Sequence, residues 1–131
     1  MPSVVYTMDI PEEEPQVVLI EALPIEEIDP NIDWTVERVK EYINRAFPDS
    51  PVMLEVARCE SGFKPSAFNP TNNSDDKGIF QISTYYHGSR VEELELDMYK
   101  VTDNITFARI LYDEQGLQPW SASKRCWSHA I

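Results

Sequence analysis

Two carboxylates, Glu60 and Asp76, lie 16 residues apart in different local settings. Glu60 belongs to segment 58–63, Arg-Cys-Glu-Ser-Gly-Phe, at the predicted end of an apolar helix. Asp76 precedes segment 78–83, Gly-Ile-Phe-Gln-Ile-Ser, which is predicted as a short strand. Cleavage of a glycosidic bond requires one acid that stays protonated for the leaving oxygen. It also requires another that stays ionised beside the developing oxocarbenium ion. Two acids in unlike surroundings therefore indicate glycoside chemistry.

Two helices are predicted ahead of the second acid. From Asp33 to Pro48, apolar residues recur at helical spacing, which predicts the first helix. Ser50 and Pro51 are typical of an N-cap and the first position of a second helix. This second helix is predicted to run to about Glu60, so that the acid lies at its end.

The remaining elements are predicted to be short. Residues 64–77 are rich in Pro, Asn and Asp, which predicts a loop or a small hairpin. Segment 78–83 is predicted to become irregular by Tyr85, and a further helix is predicted over about 102–115, with Gly116 at its C′ position. Few strands and four or five short helices predict an α+β domain that is mainly helical.

A family resemblance covers roughly residues 50–127. It is carried by Glu60-Ser61-x-Phe63, Ala67, Asn69, Asp76-x-Gly78-Ile79-Phe80-Gln81-Ile82, Asp97, Val101, Asn104-Ile105, Ala108, Ile110, Asp113, Gly116, Trp120 and Cys126. This pattern resembles c-type lysozymes. The Glu-Ser pair and the Gly-x-x-Gln pattern also resemble the soluble lytic transglycosylases of the same superfamily. The resemblance implies a lysozyme-like, two-lobed domain with a small β-hairpin at the cleft.

The resemblance also implies roles for the two acids. Glu60 is expected as the general acid, with its pKa raised by burial against an apolar wall at Trp120. Asp76 matches the second carboxylate of c-type lysozymes, as nucleophile or electrostatic stabiliser. The adjacent Asp75 is an alternative, and Asp76 is also typical of a turn. If neither Asp faces the cleft, a single Glu acting as acid and then base is expected, as in lytic transglycosylases.

Further substrate contacts are expected around these acids, and Trp120 is counted among the substrate-binding residues as well as being the apolar wall. By resemblance, Ser61 orients the sugar or Glu60, and Gln81 contacts substrate or holds the catalytic loop. Tyr85, Tyr86 and His87 follow the predicted strand, where aromatic faces stack on sugar rings; ordinary half-exposed aromatics are the alternative.

Three residues are expected to be structural. By resemblance, Asn104 hydrogen-bonds beneath the cleft, and the C-terminal segment packs on the Glu-bearing helix. That packing makes a Cys59–Cys126 disulfide plausible, with two small buried thiols as the alternative. His87 has no Cys or Asp partner at metal-ligand spacing, so no metal site is predicted, and no cofactor is implied.

The charge distribution divides the chain into two predicted regions. The net charge is −12, and residues 1–33 hold nine acids and no Lys or Arg. We predict an acidic, proline-containing extended arm over residues 1–33 and the catalytic domain over residues 34–131. The acidic balance argues against a nucleic-acid partner. The apolar clusters Val17–Ile20 and Leu23–Ile28 instead favour docking of the arm on a protein partner, a phage virion or a secretion assembly, or on its own domain.

The functional expectation is a peptidoglycan glycosidase that cleaves the β-1,4 bond between N-acetylmuramic acid and N-acetylglucosamine. The alternatives are a lytic transglycosylase, which gives anhydro-muramyl products, and a non-catalytic glycan-binding or structural virion component with the same fold. No apolar run approaches 18 residues, and no signal peptide is recognisable, so neither a membrane span nor a leader is predicted. The site of action is expected at the bacterial cell wall. The chain would reach it on a phage tail or by release from the host cytoplasm.

Overall fold

In the two helices that lead to Glu60, particular residues mark where each helix begins and ends. A computed structural model describes residues 28–71 and 74–131. Helix α1 (Val36–Ala46) begins where Thr35 Oγ1 accepts a hydrogen bond from the Arg38 backbone N–H. Helix α2 (Val52–Ser61) begins one residue later than predicted, with Pro51 rather than Ser50 at its N-cap. It ends at Gly62, whose φ of 65° is left-handed.

A three-stranded antiparallel sheet follows, in the order β1 (Phe68–Thr71), β2 (Ser74–Lys77) and β3 (Ile82–Ser83). Strands β1 and β2 confirm the predicted hairpin in residues 64–77, and Asp76 lies within β2. Asp76 pairs with Asn69 on one side and with Ser83 on the other. This carboxylate therefore belongs to the central strand of the sheet.

The predicted strand over residues 78–83 is wrong except for Ile82–Ser83. Residues 78–81 form a turn, because Gly78 and Gln81 have left-handed φ values of 78° and 50°. Ile79 and Phe80 are both fully buried, whereas a strand would send neighbouring side chains to opposite faces. The segment thus forms a buried turn between β2 and β3.

The irregular segment predicted from Tyr85 is also wrong, because helix α3 spans Thr84–Glu93. Ser83 caps this helix: its hydroxyl accepts a hydrogen bond from the Tyr86 backbone N–H at 3.3 Å. A polar residue at the end of a two-residue strand therefore also starts a helix.

The C-terminal part packs back on α2. Helix α4 (Val101–Gln115) confirms the predicted helix over about 102–115, and Gly116 ends it with a φ of 64°. A 3-10 helix (Gln118–Ser123), helix α5 (Lys124–Trp127) and a second 3-10 helix (Ser128–Ala130) complete the chain. Five helices and one small sheet confirm the predicted mainly helical α+β class for the described residues.

The end of the predicted arm contacts this domain. Ile28, in the predicted arm, and Trp34, the first residue of the predicted domain, are partly buried and pack against the core. Arg38 donates a hydrogen bond to the Asp33 carbonyl at 2.7 Å, which joins the arm's last residue to α1. The cluster Val17–Ile20 lies outside the described residues, so its docking stays a prediction. Within residues 28–71 and 74–131, we find no helix with the length and hydrophobicity needed to span a membrane.

Candidate active site

The structure places Glu60 in the last turn of α2, half-buried and next to the C-terminal segment. Ser123 Oγ donates a hydrogen bond to Glu60 Oε2 at 2.6 Å. Burial raises the pKa of Glu60, the Ser123 hydrogen bond opposes that rise, and the negative charge of Asp76 adds to it. The net effect is a raised pKa, which keeps this carboxyl protonated at higher pH than a solvated Glu.

Asp76 is the second acid that the fold brings to this site. Ser74, two residues earlier on the same strand face, donates its hydroxyl to Asp76 Oδ1. Asp76 is half-buried, whereas Asp75 points to the opposite face and is exposed. Asp76 is also the carboxylate whose charge affects the pKa of Glu60. Of the two neighbouring acids, Asp76 is therefore the one whose charge raises the pKa of Glu60.

Asn104, on α4, joins the buried turn to the helices below it. Its Nδ2 donates to the carbonyls of Lys77 and Met98 at 3.0 and 2.9 Å, and its Oδ1 accepts from the Phe80 N–H at 2.9 Å. The amide is almost fully buried, so these bonds satisfy groups that have no access to water. Asn104 thus fixes the backbone on both sides of Gly78.

Ser61 and Gln81 both hydrogen-bond to backbone in the structure. Ser61 Oγ donates to the Ile79 carbonyl at 2.7 Å, which ties the turn to the end of α2. Gln81 Nε2 donates to the carbonyls of Gly78 and Ala67 at 3.1 and 3.4 Å. The Gln81 contacts fit the loop-holding role expected for this residue. The sequence did not suggest the contact by which Ser61 holds the Ile79 carbonyl.

Trp120 is buried in the hydrophobic core and does not form an open stacking surface. Its ring is only 3% exposed, and its centroid lies 5.8 Å from that of Phe80. The indole Nε1 donates to the Phe80 carbonyl at 3.0 Å. Trp120 therefore offers little exposed surface to a glycan, and its substrate-binding role stays a prediction.

The aromatic residues after β3 separate into two groups. Tyr85 and Tyr86 are 60% and 70% exposed, with ring centroids 4.9 Å apart. His87 is half-buried against Phe107 of α4, with centroids 5.5 Å apart. Burial lowers the pKa of His87, and the nearby Arg90 lowers it further. The two tyrosines are thus available for stacking, whereas His87 packs into the helical layer.

Cys59 and Cys126 are joined by a disulfide, which settles the alternative that the sequence left open. The bond connects α2, one residue before Glu60, to α5, three residues after Ser123. Ser123 and Trp127 are the site residues that sequence reasoning missed. Only their position in the sequence could have indicated them. Both lie close to Cys126, in the C-terminal segment that the family resemblance places against α2.

A small sheet beside a helical domain, with a half-buried acid at a helix end, is the architecture expected for the lysozyme and lytic transglycosylase class. The chain belongs to the transglycosylase SLT domain family, whose profile matches residues 38–115. A protein named Lysozyme 1, from Musca domestica, is 36% identical over 84 residues, which cover 54% of this chain and 60% of that protein. The chain therefore spans less than two thirds of the length of this relative. No solved structure matches the chain.

Proposed function

We propose that this protein cleaves the β-1,4 bond between N-acetylmuramic acid and N-acetylglucosamine in peptidoglycan, with Glu60 as general acid. The observation that carries the proposal is the setting of Glu60, a half-buried carboxyl whose pKa burial raises. A general acid works best when its pKa lies near the working pH. Glu60 would protonate the leaving glycosidic oxygen as the bond to the sugar's anomeric carbon breaks.

Asp76 would act as the second carboxylate. Its place on the central strand, with Ser74 donating to one oxygen, provides a fixed negative charge that raises the pKa of Glu60. Such a charge stabilises an oxocarbenium-like transition state, or attacks it to form a covalent intermediate that water then hydrolyses. In both cases the net reaction consumes one water, and Glu60 regains its proton from that water.

A lytic transglycosylase reaction is the second candidate, and membership of the SLT family favours it. Glu60 would act alone, first as acid and then as base. After donating its proton, the Glu60 carboxylate would take a proton from a hydroxyl of the muramyl sugar. That hydroxyl oxygen would bond to the anomeric carbon and give an anhydro product without water.

The proposed binding partner is the glycan strand of peptidoglycan. Its sugar rings are proposed to stack on the exposed side chains of Tyr85 and Tyr86. We also propose residues 34–131 as the catalytic unit. Docking of the 1–33 arm on a protein partner and carriage on a phage tail stay predictions, because the arm up to residue 27 lies outside the described residues.

Digestion of isolated peptidoglycan, followed by mass spectrometry of the soluble fragments, tests the proposal. The full chain should release reducing muropeptides, whereas anhydro-muropeptides would identify the transglycosylase reaction. Glu60→Gln should reduce the rate by about 10²–10⁴-fold, because an amide cannot donate the proton. The matched control is Glu37→Gln on α1, whose side chain is 86% exposed and which should retain full activity. Absence of any cleavage by the folded parent chain would favour the non-catalytic alternative and overturn the proposal.

A further inference from the structure

Ser123 lies between the Glu60 carboxyl and two buried tryptophans. Its Oγ is 2.6 Å from Glu60 Oε2, 3.2 Å from the Trp120 carbonyl oxygen and 3.0 Å from Trp127 Nε1. Ser123 is half-buried, whereas both tryptophan rings are almost fully buried. The hydroxyl therefore sits in a rigid setting on one side of the acid.

When Glu60 is ionised, the hydrogen-bond inventory of these groups fixes the direction of each bond. An indole N–H only donates, so Ser123 Oγ accepts from Trp127. The one hydroxyl proton of Ser123 then has two acceptors, Glu60 Oε2 and the Trp120 carbonyl. The 2.6 Å contact has the length of a hydroxyl bonded to a carboxylate, whereas 3.2 Å is long for an O–H···O bond. The proton therefore belongs on the Glu60 side.

We propose that Ser123 is a positioning residue that holds Oε2 of Glu60, so that Oε1 is the oxygen that gives and takes the proton. This role rests on the proposed function of Glu60 as general acid. With Oε2 engaged by Ser123, the acid proton is carried on Oε1. After proton transfer, the Ser123 hydroxyl stabilises the carboxylate that remains, and Oε1 is then the base that recovers a proton.

The contact spans 63 residues of chain, so it depends on what holds the two segments together. The Cys59–Cys126 disulfide joins α2 to α5 within three residues of Ser123. Trp127 Nε1 also donates to the Trp120 carbonyl at 3.2 Å, which closes the 3-10 helix onto α5. Ser123 is thus placed by a covalent link and by a buried indole rather than by its own short helix.

Removing the hydroxyl has two separate consequences. The Ser123 hydrogen bond lowers the pKa of Glu60 against the effect of burial, so its loss should move the Glu60 titration to higher pH. The carboxyl also loses its fixed orientation, and misplacement of a catalytic group costs up to about 10²-fold in rate. If Ser123 served packing alone, its substitution would leave the Glu60 titration unchanged. Restoring a hydroxyl at position 123 would then have no effect on that titration.

The test compares Ser123→Ala with Ser123→Thr, which keeps a hydroxyl, and with Ser121→Ala, an exposed neighbour on the same 3-10 helix. Carbon-13 NMR should follow the Glu60 carboxyl titration in each full-length protein. Peptidoglycan cleavage should be measured as kcat and KM across pH. In Ser123→Ala, the titration and the alkaline limb of activity should both move to higher pH, and kcat should fall by about ten- to a hundredfold with little change in KM. Ser123→Thr should restore both properties, and Ser121→Ala should match the parent.

The possible failures are distinguishable. An unmoved Glu60 titration in folded Ser123→Ala would overturn the role of Ser123, whatever the activity. Absence of cleavage in every protein, parent included, would overturn the proposed function instead. If Ser123→Ala does not fold, Trp127→Phe removes the N–H that orients Ser123 while keeping an aromatic ring. It should move the Glu60 titration in the same direction, and no movement there would also overturn the role.

Discussion

The side-chain amide of Asn104 occupies the space where a Cβ at position 78 would lie. A Cβ built on Gly78 would be 2.3 Å from Asn104 Nδ2 and 2.2 Å from the Met98 carbonyl oxygen. Gly78 also has a φ of 78°, which L side chains rarely adopt. Asn104 of helix α4 thus packs against the backbone just after β2, two residues from Asp76. This close contact is possible only because Gly78 has no side chain.

Gly78→Ala should therefore destabilise the protein by about 2–5 kcal/mol, from backbone strain and overpacking together. Urea denaturation measures this as a lower midpoint at an unchanged slope. Gly88→Ala is the matched control, because a Cβ there meets nothing within 4 Å and the residue lies inside α3. That substitution should be neutral or stabilise by up to about 1 kcal/mol. Equal effects at the two positions would contradict the packing argument.

The two neighbouring aspartates should differ in their effect on cleavage. Asp76→Asn removes the charge that affects Glu60, and we expect hydrolysis to slow by about 10²-fold or more. Asp75→Asn removes an exposed charge on the other face of β2 and should leave the rate within about twofold of the parent. Initial rates on isolated peptidoglycan measure both. Parent-like activity in Asp76→Asn, together with anhydro products, would instead assign the reaction to Glu60 alone.

The stability of the protein should report the raised pKa of Glu60. Because ionised Glu60 is less favourable in the folded chain than in the unfolded one, the folded state loses stability as pH rises through the raised pKa. Below the ordinary Glu pKa of 4.5, Glu60 is protonated in both the folded and the unfolded chain, so it no longer affects stability. Glu60→Gln should therefore stabilise the protein at neutral pH and not at pH 4. Denaturation midpoints of parent and variant at several pH values measure the difference. If the midpoints of parent and variant differed by the same amount at every pH, the stabilisation by Glu60→Gln would have another cause.

The sequence predicted the elements whose signals are local. Gly116 ends α4 with a left-handed φ value, as its predicted C′ position indicated, and α2 ends within two residues of the predicted Glu60. The Pro- and Asn-rich run formed the expected hairpin, and Glu60 fell in the last turn of its helix. Each of these features depends on residues within a few positions of one another, which is why pattern alone revealed them.

The strand error and the missed Ser123 contact have a common physical cause. Segment 78–83 has strand-like composition, but Asn104, some 25 residues away, takes over the hydrogen bonds that a strand would make and holds the segment as a turn. The Ser123 contact with Glu60 is likewise invisible in local sequence, because 63 residues separate the partners. Tertiary contacts thus override local propensity at the residues that surround the two acids.

The Cys59–Cys126 disulfide should matter for the site as well as for stability. It closes a long loop, with the two cysteines 67 residues apart, and its removal should cost about 2–5 kcal/mol. Since Ser123 lies three residues before Cys126, loss of the link should also loosen the Ser123 contact and lower kcat below that of the oxidised parent.

The measurement compares the parent chain with the double substitution Cys59→Ser and Cys126→Ser, each with and without dithiothreitol. Reductant should bring the parent to the midpoint and rate of the double variant and should leave the double variant unchanged, which excludes effects of the reductant itself. Both proteins should be assayed at a temperature where each is fully folded, so that a lower kcat reflects the site and not the unfolded fraction. A reduced parent that loses stability but keeps full kcat would show that Ser123 is held by packing around Trp127 alone, without help from the covalent link.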